Sequence, residues 1–86
     1  MEDGEFNRAL REHQIDRSIF TLGRPPEDGM YTIQLINGQF EVYYFERGVK
    51  EFARTFSERA RSLDYLLELL LADPRAKNGF GAGPNS

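Results

Sequence analysis

The sequence predicts an α+β domain, an antiparallel sheet of three to four strands with an N-terminal helix and a C-terminal helix packed on it. Three observations lead there. Asn37-Gly38 separates two runs of alternating apolar and polar residues, the signature of a tight hairpin. Six apolar residues between Ala60 and Leu71 recur at helical spacing. Phe6, Ala9, Leu10 and His13 do the same near the start. The chain has 86 residues, enough for one small domain and too few for two. That domain is expected over residues 1–75, followed by a flexible C-terminal tail over 76–86.

The first helix is expected from about Gly4 to His13, capped by Asp3, with Glu5 at the positive end of its dipole. Ser18 to Leu22 reads as a short strand. Gly23 to Gly29 reads as a loop stiffened by Pro25 and Pro26. Met30–Ile36 and Gln39–Glu46 then form the hairpin. A two-residue turn pairs Leu35 with Phe40, Ile33 with Val42 and Tyr31 with Tyr44 on one apolar face. It pairs Gln34 with Glu41, Thr32 with Tyr43 and Met30 with Phe45 on the other. A one-residue slip destroys this agreement.

Arg47-Gly48 makes a second turn, and Val49–Phe56 a further strand. Phe52 and Phe56 share parity with Arg54, so either Arg54 snorkels or a bulge intervenes. A three-residue loop that sets Phe52 beside Tyr44 on the core face is the preferred arrangement. The final helix runs from about Ser57 to Ala72, with Ser57, or Thr55 with Glu58, as its cap. Pro74 disfavours helix at Asp73 and ends it. Its stripe of Ala60, Leu63, Leu66, Leu67, Leu70 and Leu71 is expected to cover the apolar sheet face, while Tyr65 and Leu69 point elsewhere, toward the first helix or a second molecule. Asn78–Ser86 has no periodicity, and its removal is expected to leave stability unchanged.

Composition excludes several chemistries. The chain has no Cys and one His, so neither a disulfide framework, a thiol nucleophile nor a Cys- or His-rich metal centre is expected. No cofactor is implied. Met1 is followed by Glu2 and Asp3, the wrong charge for a secretory leader, and the longest apolar run is too short for a bilayer. The expected location is cytoplasmic, with no membrane partner. The net charge of −3 is carried by residues Met1 to Asp28. This acidity argues against a nucleic-acid partner, which requires a basic footprint, and is compatible with a basic protein.

Residues that suggest catalysis read better as structure. His13, Asp16 and Ser18 are the types of a hydrolase triad, but a triad is defined by geometry, and here they lie together at a helix end. Glu41, Glu46 and Glu51 need a cleft to act as acid–base groups, which a thin sheet with one helical layer offers poorly. Arg47, Lys50, Arg54, Arg59 and Arg61 are interleaved with acids, so they do not form a nucleic-acid platform. No catalytic residue is therefore assigned and the chain is expected not to be an enzyme. The second hairpin face is the candidate site. Met30, Tyr43 and Phe45, beside Gln34 and Glu41, have the composition of an interface centre, and Glu27 and Asp28 supply nearby acidic groups.

The stretch Gly38-Gln-Phe-Glu-Val-Tyr-Tyr-Phe-Glu-Arg-Gly48, followed by Phe56-Ser-Glu-Arg-Ala60 and Tyr65-Leu-Leu-Glu-Leu-Leu-Leu-Ala-Asp-Pro74, resembles small bacterial immunity-type proteins of polymorphic-toxin systems. Phe40 stands in place of that pattern's Trp. The resemblance implies a non-enzymatic protein that binds and blocks a toxin domain, and it assigns no catalytic residue. The candidate contacts in that reading are the open-face and acidic-loop residues already named, Met30, Gln34, Glu41, Tyr43, Phe45, Glu27 and Asp28. The alternative is a homo-oligomeric adaptor or structural module, with a homodimer seam along Tyr65–Leu69 or the open sheet face.

Overall fold

A computed structural model of the chain describes residues 1–76. It is an α+β fold with helix α1 at Asp3–Glu12, strands β1 at Phe20–Leu22, β2 at Met30–Ile36, β3 at Gln39–Glu46 and β4 at Val49–Phe56, and helix α2 at Arg59–Ala72. The sheet order is β1-β2-β3-β4. β2, β3 and β4 are antiparallel neighbours, but β1 runs parallel to β2, so the sheet is mixed and not purely antiparallel. The reason lies in the chain path. β1 has three residues, so returning to the start of β2 covers only about 10 Å. Gly23–Gly29 spans that distance by doubling back across the sheet, where the Arg24 carbonyl accepts a 2.8 Å hydrogen bond from the Thr32 hydroxyl. β1 is also shorter than expected. Asp16 Oδ1 accepts from the Ser18 N–H at 2.9 Å and its hydroxyl at 2.7 Å, and this turns Arg17–Ile19 into a 3₁₀ turn.

The β2–β3 register is the one the alternation predicts, from Met30 opposite Phe45 to Leu35 opposite Phe40. Asn37 and Gly38 sit at φ +52° and +79°, the left-handed pair of a type I′ turn. The expected three-residue turn before β4 is corrected. Arg47 and Gly48, at φ +55° and +78°, make a two-residue turn that sets Glu46 opposite Val49 and Tyr44 opposite Glu51. A bulge follows, after which Val42 faces Arg54 and Phe40 faces Phe56. Phe52 therefore does not pack beside Tyr44 on the core face. It sits in the bulge at φ +61° and is 57% exposed.

Both helices lie on one side of the sheet. Leu63, Leu66, Leu67 and Leu70 of α2 pack with Tyr31, Ile33, Val42 and Tyr44, and Phe6 and Leu10 of α1 join the same core. α1 rests mainly on α2 and meets the sheet through Phe6, whose ring is edge-on to Phe20 at 5.9 Å. Tyr65 and Leu69 are partly buried against this core, and the Tyr65 ring meets Phe56 of β4 at 5.6 Å. The helix starts also differ from expectation. Glu2, not Asp3, is the first cap, with Glu5 Oε1 accepting from the Glu2 N–H at 3.0 Å. Asp3 pairs instead with Arg59 at 3.0 Å. α2 begins at Arg59 with no side-chain cap. Its end at Asp73, before Pro74, is as expected. Ala76, assigned to the tail on sequence grounds, is buried, and its carbonyl accepts from the Asp16 N–H at 2.7 Å. The rest of the expected tail lies outside the described residues. No helix among the described residues is long and apolar enough to cross a membrane.

Candidate functional site: the sheet face opposite the helices

Because α1 and α2 share one side, the other side of the sheet carries no helix among the described residues. Strand alternation places Met30, Thr32 and Gln34 of β2 and Glu41, Tyr43 and Phe45 of β3 there. The five expected sheet residues are thus brought together as Met30–Phe45 and Gln34–Glu41 pairs flanking Tyr43. All but Tyr43 are half-buried. Tyr43 is only 5% exposed, so this member of the expected interface centre is corrected to a buried residue. Its hydroxyl donates to Gln34 Oε1 at 2.7 Å, and the Lys50 ammonium lies 4.6 Å from its ring centroid. Lys50 also reaches Glu41 Oε1 at 3.0 Å. Burial pushes the Tyr43 phenol above its ordinary range, an effect the Lys50 charge opposes and the Glu41 charge reinforces.

Lys50 and Arg24 were not among the residues expected here, whereas Thr32 was expected on this face, opposite Tyr43. Lys50 follows from the two-residue turn, which places it opposite Phe45. A reading of Arg47-Gly48 as a second copy of the Asn37-Gly38 turn would have found it. Thr32 is fully buried under the returning loop, which no local pattern announces.

The acidic loop residues reach the end of this face unequally. Asp28 Oδ1 accepts a hydrogen bond from the Arg47 N–H, so it braces the second turn. Glu27 uses its backbone carbonyl to accept from the Met30 N–H at 3.1 Å, and its carboxylate is exposed. The loop that carries them is fixed to the Met30–Phe45 end of the face, where the Phe45 carbonyl accepts from the Gly29 N–H at 2.8 Å.

A second polar cluster lies on the helix side, at the base of the same hairpin. The Tyr31 hydroxyl donates to Asp73 Oδ2 at 2.8 Å, and Arg75 pairs with the same carboxylate at 3.0 Å. The Arg75 guanidinium lies 5.5 Å from the Tyr44 ring centroid and donates to the Gly29 carbonyl at 3.4 Å. Burial alone would raise the Asp73 carboxyl. Hydrogen bonds from Arg75 and Tyr31 more than offset this and hold it below its ordinary value. Burial, and then donation to Asp73, push the Tyr31 phenol upward. Every group in this cluster is occupied by a neighbour, so it reads as a latch between the end of α2 and the hairpin.

The triad types are not assembled. Asp16 and Ser18 bond to each other, and among the described residues the His13 side chain hydrogen-bonds to neither. Among the described residues no group of three or more His, Cys, Asp or Glu is placed to hold a metal ion. Comparisons of the chain with protein-family models, with curated proteins and with solved structures find no match.

Proposed function

We propose that the protein is a non-enzymatic binding domain that sequesters a toxin domain, in the manner of the small bacterial immunity-type proteins its sequence resembles. One observation carries the reading. Both helices pack on a single face of the sheet, and the opposite face gathers Met30, Phe45 and Tyr43 within a frame of polar and acidic groups. Apolar and aromatic residues inside a polar rim are the composition of an interface centre. Phe45 and Met30 serve as the anchors, over a floor formed by Tyr43 under Lys50. Glu27, at the end of the face, steers a basic partner during encounter.

The test is co-expression with the variable C-terminal domain of a large secreted protein encoded in the neighbouring reading frame. Restored growth and a stable complex are expected. Phe45→Ala should weaken that complex by about 2 kcal/mol and leave the melting temperature of the free protein nearly unchanged. Continued toxicity with no complex defeats the reading.

A further inference from the structure

β4 is one of the two edges of the sheet and has no strand beyond it among the described residues, and its bulge changes what that edge can meet. Hydrogen-bonded pairs alternate outward from the Asn37-Gly38 turn, so β3 turns the backbone of Phe40, Val42, Tyr44 and Glu46 toward β4. Their partners Phe56, Arg54, Glu51 and Val49 bond inward. Lys50 and Thr55 are left with their backbone N–H and C=O directed away from the sheet. In a regular strand, Glu51 and Arg54 would lie on opposite faces. The extra residue in the bulge puts both on the helix-bearing face, opposite Tyr44 and Val42.

This parity shift makes the edge self-complementary. A twofold axis between Phe52 and Ala53 sets the outward-facing backbone of Lys50 against that of Thr55 in a second copy. The same register sets Glu51 against Arg54 and Val49 against Phe56, each pair on the helix-bearing face, and each pair occurs twice. Neither side chain has an ion-pair partner among the described residues. The Glu51 carboxylate has no hydrogen bond or ion pair among the described residues. The Arg54 guanidinium lies over the Tyr65 and Phe56 rings, at 4.8 and 5.4 Å, with no carboxylate on it among the described residues. Val49 is 54% exposed. Phe52 stands at the axis, in a left-handed conformation that disfavours a bulky residue, and its bulge carbonyl is held by the Tyr65 hydroxyl at 2.8 Å.

The geometry points to β4 as the seam of a homodimer, in which two copies pair antiparallel about Phe52–Ala53. This surface is separate from the toxin-binding face and does not depend on it. Bulges and edge lysines elsewhere protect a strand from such pairing, and the experiment separates that role from a seam. Sedimentation velocity of the full chain, from micromolar to millimolar concentration, should show a reversible dimer. Glu51→Arg should raise its dissociation constant at least about tenfold by placing like charges together. Arg54→Glu should do the same, and an equimolar mixture of the two variants should recover a heterodimer. Arg54 also stacks on two rings, so thermal melts accompany each variant. Thr55→Pro, which removes only an outward N–H, provides the check should Arg54→Glu fail to fold, and it is expected to be a folded monomer. A wild-type protein that stays monomeric at every concentration overturns the seam, as does a dimer indifferent to both Glu51→Arg and Thr55→Pro.

Discussion

The two hairpins share strand β3 and the same kind of turn, yet only one is regular. Asn37-Gly38 and Arg47-Gly48 both place two residues at positive φ. From the first turn, pairing runs without interruption to Met30 and Phe45. From the second it holds only to Tyr44 and Glu51, and then bulges. Continued regular pairing would have put Arg54 and Phe56 on the face away from the helices. The bulge returns Phe56 to the helix side, where its ring lies 5.6 Å from that of Tyr65. The comparison teaches that a turn sets register only as far as the side chains agree with it. Beyond that point the packing of Phe56 on α2 overrides the ladder, at the cost of a strained Phe52.

The largest effect should come from the strand both hairpins share. Tyr44 packs in the core, with its ring centroid 4.8 Å from that of Tyr31. Tyr44→Ala should destabilise the domain by about 3–5 kcal/mol. Tyr43, on the other face, is also buried, and its truncation loses ring burial together with a hydrogen bond to Gln34 and contact with the exposed Lys50 side chain, so Tyr43→Ala should cost about 2–3 kcal/mol. Urea unfolding of the two variants checks this order, and a larger loss for Tyr43→Ala would show that the face covered by Lys50 contributes more to stability than the helix-covered one.

A smaller effect should distinguish the turns. A side chain at Gly38 would project into open space, so the requirement for glycine there is conformational and not steric. Gly38→Val should destabilise by about 1–3 kcal/mol because a β-branched residue resists positive φ. Gly48→Val meets the same restriction, but it opens onto the edge strand and should cost less. Equal losses, again by urea unfolding, would mean that the β4 edge is held as firmly as the central strands.

The smallest effect, of opposite sign, belongs to the bulge. Glycine accepts φ +61° without strain, so Phe52→Gly should stabilise the dilute protein by about 1 kcal/mol. For a domain of this size that raises the melting temperature by about 4–8 °C. A lower melting temperature would show that the Phe52 ring supports the fold.

Much of this architecture was legible from local chemistry. Asn37-Gly38 with two alternating runs determines the first hairpin residue by residue, because side-chain direction has period two and only one register puts Tyr31, Ile33, Leu35, Phe40, Val42 and Tyr44 together. The leucine spacing of α2 and the block at Pro74 determine that helix and its end. The same register placed Met30, Gln34, Glu41, Tyr43 and Phe45 on one face. What no window of sequence contained was decided between distant segments. β1 lies parallel because its loop doubles back over Thr32. Tyr43 is buried because Lys50, from the next strand, covers its ring. The bulge at Phe52 exists because Phe56 and Tyr65 pack together, and their contact forms only when α2 folds onto the sheet. Local spacing reports which face a side chain takes, whereas the neighbour that covers it depends on where the rest of the chain returns.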